Sequence, residues 1–503
     1  MQYSLLKGRV AALLGLICWT VGAAAFGLDD VDREARARAA APFQPVAAIA
    51  AHAGDAYDTW RDLRFRPDRT LWRPEQLPFQ AQFFPAGGFH TRGVEVFEVV
   101  DGVARPLRFT QGDFVRGSAA PADDPRPIAV AGVRLLYPLN RPDHRDELIA
   151  FLGASYFRAL GQGHQYGSSA RGLSIDTIGG GREEFPAFVR FWLERPSGNA
   201  RSVTVYALLD SPRATAAYRF DVRPGAPTTV DVHARIRLRA GVASLGIAPL
   251  TSMFYAGENQ PPSHDFRPEV HDADGLLVAD AGGEWLWRPL TRPAAPFATA
   301  FTLGGLRGFG LMQRDRRFAS YEDLEAHYDR RPSVWVEPLG DWGAGQVQLL
   351  QLLARSEGDD NIVAFWQPSS QPVPGQALEL AWRLHWTDAL APGEAGGRVL
   401  QTRVGFGMRD DAPPANRLQF HVDFAGGALA RVAPDAVVQA VVNGNANTRV
   451  LVARTEPHPA IGGWRMTLDV ERLDLHQPLE LRAFLRRGSD TLTETWAYAL
   501  APR

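Results

Sequence analysis

Apolar and polar residues alternate with a period of two along most of this chain, the pattern of strands that bury one face. Residues 201–209 (RSVTVYALL) alternate in this way, as do 217–222 and 229–238, the last two joined through Arg223, Pro224 and Gly225. A period near 3.6 is rarer. It predicts one helix over 146–160, where Leu148, Ile149, Leu152, Tyr156 and Phe157 share a face and Gly161 stops the run. A second helix is predicted over 320–328, opened by a capping-box-like Ser320 and Asp323. The clearest break is 387–397 (TDALAPGEAGG). Beyond it, LQFHVDF, AVVQAVVN, RVLVAR, WRMTLDV, LELRAFL and ETWAYAL follow as short strands. This spacing predicts an immunoglobulin-like β-sandwich over 398–503, preceded by one extended β-sandwich with helical insertions over 26–387. The expected fold class is all-β.

The first 25 residues break the pattern. Lys7 and Arg9 precede an apolar run at 10–21 and a small-residue cleavage signal, Ala23-Ala24-Ala25. That order reads as a cleaved secretory signal peptide, residues 1–25, and places the mature protein outside the cytoplasm. No Arg pair precedes the run, which argues against twin-arginine export. Ile17 stands before Cys18 where a lipoprotein signal needs a small residue, so no lipid anchor is expected. No further run of 18 apolar residues occurs, and no membrane span is expected. Cys18 is the only cysteine, so the mature chain carries no disulfide, thiolate nucleophile or cysteine metal site. Lys7 is the only lysine, which excludes a Schiff-base lysine. Removing Lys7 and Arg9 takes the net charge from −2 to −4. A surface this close to neutral argues against nucleic acid as a partner and fits an uncharged ligand.

Candidate chemistry concentrates in 249–290, which sets Tyr255, Glu258, His264, Asp265, Arg267, Glu269, His271, Asp272, Asp274, Trp285 and Trp287 among Gly and Pro. So many charges can be buried only if paired, since a lone buried carboxylate costs several kcal/mol. Carboxylates beside aromatic rings suit a cleft for a polar ring with apolar faces, such as a sugar. Asp272-Ala273-Asp274-Gly275 superficially resembles a calcium loop, but Gly falls at the fourth position rather than the sixth, so no metal is expected. Asp before Gly also caps turns without further role. A second acidic turn, Glu357-Gly358-Asp359-Asp360, runs straight into the apolar strand that ends at Trp366. Together the two clusters could supply the acid and the base that glycoside hydrolysis needs. Between them lie Arg314, Asp315, Arg316 and Arg317, a pattern that forms structural ion pairs more often than binding sites. Upstream, Tyr166 and Arg171 sit in a loop of rings, hydroxyls and glycines suited to binding; His164 there reads as a hydrogen-bonding residue. Nucleotide-binding loops, G-x-S-x-G and H-E-x-x-H are absent, and no cofactor is expected.

Taken in order, FGLDDV, LRFRPDRTLWR, ASYFRALGQGHQYGSSARGLSIDT, EEFPAFVRFWLERP, PLTSMFYAGEN, RPEVHDADGL, GLMQRDRRFASYEDLEAHYDRRPSVWVEP, GDWGAGQVQL, DDNIVAFW and ETWAYAL resemble the periplasmic glucan biosynthesis proteins G and D. The resemblance implies a galactose-mutarotase-like β-sandwich followed by an immunoglobulin-like domain. It implies a part in making osmoregulated periplasmic glucans, whose backbone is β-1,2-linked glucose, with that glucan as ligand and the inner-membrane glucan synthase as a candidate partner. Members are inverting endo-β-1,2-glucanases. Carried over by motif, Asp360 would be the general acid and Asp272 the general base, with Asp274 second; in the family the base is held to act through a chain of waters. Tyr255, Glu258, His271, Arg314, Asp315, Trp285, Tyr166 and Arg171 would contact substrate. The alternative is a non-catalytic glucan-binding scaffold that assists synthesis or branching. Mutarotase activity rests on fold analogy alone.

Overall fold

The computed structural model describes residues 25–48, 60, 62–117, 123–179, 181–389, 391–393, 396–406 and 414–503. The signal-peptide reading falls on 1–24, outside the described residues, apart from Ala25. The fold is all-β. A 10-stranded and a 15-stranded sheet face each other. The alternation in the sequence becomes the core between them: Tyr218, Phe220, Val222, Val230, Val232, Leu384 and Trp386 of the larger sheet meet Val133, Ile149, Phe151, Phe157, Ile247, Val347 and Trp366 of the smaller. The strands read from 201–209, 217–222 and 229–238 are Val203–Asp210, Ala214–Arg223 and Thr228–Leu238.

Beyond the break at 387–397, Arg398–Gly405, Arg417–Ala425, Gly463–Arg472 and Thr448–His458 form a four-stranded sheet. Gln439–Gly444, Leu479–Arg487 and Thr495–Leu500 instead extend the 15-stranded sheet, entering it where Leu286 and Trp287 pair in parallel with Thr495 and Trp496. Phe420, Phe424, Met466, Leu468, Leu481 and Trp496 fill the space between, together with Leu277, Trp287 and Trp335. One sheet therefore runs through both parts of the chain.

Both predicted helices are corrected. Residues 146–160 form the antiparallel strands Asp146–Leu152 and Tyr156–Ala159. Leu148 to Phe151 are buried on both faces, and a run without alternation is indistinguishable from a helical stripe by period. Gly153 at φ 81° and Ala154 at φ 45° make the intervening turn. Residues 320–328 hold two short 3₁₀ turns, Phe318–Ser320 and Tyr328–Arg330. Glu322 and His327 have positive φ, and the Asp323 carboxylate accepts the amides of Glu325 and Ala326 and an Arg267 N–H instead of capping a helix.

The α-helix Leu28–Ala39 went unpredicted because its sequence, LDDVDREARARA, has a thin apolar stripe. Val31 and Ala35 pack on the outer face of the 15-stranded sheet against Val99, Trp192 and Leu208. Charge does the rest: Asp32 pairs with buried Arg237, and Arg38 with Asp210.

Candidate active site

On the outer face of the 10-stranded sheet a cleft of about 660 Å³ gathers residues from strands far apart in sequence. Tyr156–Ala159 shows how the pleat builds it: Phe157 enters the core while Tyr156 and Arg158 line the cleft. His90, Glu147, Tyr166, Ser169, Asp272, Arg331 and Asp360 complete its polar lining, with Phe84 and Phe89 as rings. The cavity is of the size that holds a small ligand or a few linked sugar rings.

Asp272 follows the short strand Val270–His271, and its amide donates to the Met253 carbonyl at 2.9 Å. Its carboxylate is buried and paired with the Arg331 guanidinium. Burial pushes its pKa up, while the charge and hydrogen bond of Arg331 work to keep it ionised. Asp360 reaches solvent at the end of the acidic turn, before Ile362–Pro368. Crowding by the cleft walls raises its pKa, and the negative charge of Asp272 raises it further; Arg158 and Arg171 pull the other way. Two carboxyls sharing one cavity ionise together less readily than either would alone, and the Arg331 guanidinium favours the charge on Asp272.

A buried amide fixes their relation. Asn361, 1 % exposed, accepts the Phe254 N–H on Oδ1 at 2.8 Å and donates from Nδ2 to the Phe254 carbonyl at 2.9 Å and the Leu352 carbonyl at 3.1 Å. Phe254 is the strand partner of His271, and the two rings stack at 5.5 Å. Asp360 therefore stands next to one end, and Asp272 next to the other, of the three-residue bridge Asn361–Phe254–His271. A second tie closes the rim. Arg267 donates to Asp265, Asp323 and Glu357, and Tyr328 donates to Glu357 while its ring lies under the Arg331 guanidinium at 3.9 Å. The turn carrying Asp360 is thus fastened to the segment that carries Arg331.

Of the residues singled out from sequence, Tyr166 and Arg171 stand near the pair. Tyr166 O–H donates to Glu147, its ring lies under Arg158 at 4.9 Å, and burial raises its phenol pKa. Arg171 is buried, donates to Thr251 and Glu183, and sits over the Tyr156 ring. The others lie outside the cleft lining. Asp274 is buried behind Asp272, with one oxygen accepting the amides of Arg314 and Asp315 and a pKa raised by burial. Arg314 forks onto Glu494 and lies 3.7 Å over the Trp287 ring, locking the two parts of the chain together. Glu258 accepts the Thr402 amide at 2.9 Å; burial and the nearby Glu269 raise its pKa. Asp315 accepts from Arg317 and Ser320, and these bonds lower its pKa despite burial. Trp285 stacks on Trp335 beside a separate groove, and Tyr255 carries Arg292 over its ring at 4.4 Å.

His271 is buried between Gln313 Oε1 and Glu269 Oε2, each 2.9 Å from a ring nitrogen. The Gln313 amide is oriented by donating to the carbonyls of His271 and Tyr328, so both neighbours are acceptors. Only the imidazolium can donate to both. Burial opposes that charge, but Glu269, Asp274 and Glu258 outweigh it and lift the pKa to about 9. His164 Nδ1 accepts the Gly161 amide, and burial drops its pKa to about 4. Among the described residues no cluster of His, Cys, Asp and Glu is disposed to hold a metal ion.

Sequence reasoning missed Arg331, Arg158, Glu147 and Asn361 as site residues. Arg331 and Arg158 lay inside noted blocks, but nothing local distinguishes them from other arginines. Asn361, directly after the acidic turn, was the one findable signal: a buried Asn there needs partners for its amide.

Residues 26–500 match the family described as periplasmic glucan biosynthesis protein, MdoG. The chain is 45 % identical to the glucans biosynthesis protein G of Ralstonia nicotianae over 98 % of its length and 100 % of that protein. It is 42 % identical to the protein of that name in Pseudomonas paraeruginosa, covering 95 % of this chain and 93 % of the relative. With the one in Dickeya dadantii it shares 40 % over 98 % and 96 %.

Proposed function

The chain belongs to the periplasmic glucan biosynthesis protein family, and from that premise we propose that it is an inverting endo-β-1,2-glucanase acting in the periplasm on the backbone of osmoregulated periplasmic glucans. The observation that carries this reading is that Asp272 and Asp360, 88 positions apart (360 − 272), line one sugar-sized cleft, where Arg331 pairs with Asp272 and the charge of Asp272 raises the pKa of Asp360. Asp360 donates its proton to the glycosidic oxygen as the bond to the anomeric carbon breaks. A water attacks that carbon from the opposite face, and its proton ends on Asp272. One bond is hydrolysed, one water is consumed, and the anomeric configuration inverts. In this reading Tyr166 and Arg158, which line the cleft, orient hydroxyls, while Arg158 and Arg171 set the charge seen by Asp360. Asp274, held by two backbone amides, supports the loop rather than serving as the base. Export by the N-terminal signal and an encounter with the inner-membrane glucan synthase complete the proposal.

Incubation with linear β-1,2-glucan tests it. Wild type shortens the polymer to mixed internal products with inverted anomers, and Asp360→Asn abolishes cleavage while glucan binding persists. Wild type that binds glucan without cutting it at any pH would establish the non-catalytic scaffold instead.

A further inference from the structure

We propose that the strand Phe297–Leu303, the last of the 10-stranded sheet, pairs antiparallel with the same strand of a second copy and joins two molecules into a closed dimer. The inference stands independently of the glucanase reading. The strand pairs with Gly345–Gln351 over its whole length, Phe297 opposite Gln351 and Leu303 opposite Gly345, without a bulge. Its other side is bare: among the described residues no main-chain or side-chain group hydrogen-bonds to it. Ala298, Ala300 and Thr302 are exposed, while Phe301 and Leu303 pack on the core beneath. From Pro293 to Leu306 the chain carries no charged residue. A flat, uncharged edge of this length is a template for a further strand, and proteins blunt such edges where they do not use them.

The other ends of the three larger sheets are blunted. Gln80–Pro85 exchanges two main-chain hydrogen bonds with Leu71 through Ala81. Val103–Pro106 is short and carries Arg105 and Pro106. In Arg398–Gly405 the amides of Val399 and Thr402 are taken by the carboxylates of Glu494 and Glu258. Thr448–His458 is bulged between Val450 and Val452 and holds Arg449, Arg454 and Glu456. Gln439–Gly444 is uncharged but is flanked by Thr448–His458, whose Thr455 hydroxyl donates to the Val438 carbonyl. Phe297–Leu303 has none of these guards. A bare edge is satisfied by another bare edge, and the matching one in this protein is its own copy. Two-fold pairing uses both edges at once, so assembly stops at two. In the register that pairs every residue of the strand, Phe297 stands opposite Leu303, Ala298 opposite Thr302, Thr299 opposite Phe301, and Ala300 opposite itself. Like charges facing each other across such an axis are destabilising, and this strand brings none. The axis of an antiparallel pair stands perpendicular to the sheet, so both clefts lie on the same face of the joined sheet.

The test is sedimentation velocity of the full mature protein over a wide range of concentration. Wild type shows a reversible monomer–dimer equilibrium that goes no further than two. Ala300→Lys and Ala300→Glu each set two like charges across the axis and weaken the dimer about tenfold. An equimolar mixture of the two variants restores it, because Lys now faces Glu. Melting curves confirm that both variants are folded, and Gln439→Lys on the flanked edge leaves the equilibrium unchanged. A wild type that stays monomeric at every concentration would overturn the proposal. So would a dimer indifferent to the Ala300 substitutions, assemblies that grow past two, or variants whose mixture fails to reassociate. A monomeric wild type that pairs this edge with a different protein would assign the strand to that partner and exclude self-pairing.

Discussion

Replacing Asn361 with Ala removes the bridge between the two carboxyl-bearing segments while leaving both carboxyls in place. Three hydrogen bonds disappear, to Phe254 N–H, Phe254 C=O and Leu352 C=O, all from a side chain almost wholly buried. At about 1 kcal/mol net for each, the clamp is worth ~3 kcal/mol. If half of that holds the Asp360 turn in register with the Phe254–His271 pair, its loss lowers the population with the acid in place about tenfold, since ~1.4 kcal/mol is one decade. Residual misplacement in the remaining molecules deepens the effect, because an error of about 1 Å in a reacting group can cost a hundredfold. The expectation for Asn361→Ala is therefore a fall in kcat/KM on linear β-1,2-glucan of about 10- to 100-fold, carried by kcat. Glucan affinity, measured in the Asp360→Asn background, changes little because Asn361 does not line the cleft. Reducing-end release gives the rate, and a melting curve shows that the protein remains folded at assay temperature. A kcat/KM within twofold of wild type would refute the claim that this amide positions the acid. Equal losses of rate and affinity would mean that it supports the cleft at large.

Arg158→Gln removes a charge that favours the ionised forms of both Asp360 and Asp272. Activity is lost as pH rises through the pKa of Asp360 and as it falls through that of Asp272, so the whole pH–rate profile moves upward; a static or downward shift counts against the assigned roles. The His271 imidazolium has a folded-state pKa of about 9 against 6.5 unfolded, so its contribution is complete below about pH 6.5 and is lost as pH rises towards 9. Wild-type stability should decline by on the order of 3 kcal/mol across that window, and His271→Gln, less stable at pH 6, should show a flatter denaturant-midpoint profile. Glu494→Ala removes both bonds of the fork to Arg314 and should destabilise by about 2–3 kcal/mol, with faster proteolysis near 387–397 as the two parts of the chain loosen.

Much of the fold was legible residue by residue. Strands such as Val203–Asp210 and Thr228–Leu238 announce themselves because one face is buried and alternation survives in the sequence. Asp146–Leu152 does not, since burial on both faces erases alternation. Leu28–Ala39 does not either, because ion pairs with residues some 200 positions away do work that an apolar stripe does elsewhere. The site divides similarly. Asp272 and Asp360 stood out as acids in turns, and the family resemblance named their roles. Density of charged and aromatic residues also drew attention to Glu258 and Arg314, which the fold uses to join the two parts of the chain, and to Trp285, which stacks on Trp335.

By itself, the sequence determined the fold class and most of the strands, because both follow from a period of two. Tertiary structure decided which of the many carboxylates share a cavity, that Arg331 rather than a neighbour holds Asp272, and that Asn361 ties the Asp360 turn to the Asp272 segment through Phe254. Those relations depend on strands paired across long loops. A residue's own neighbours in sequence carry no record of what a distant strand will place against it.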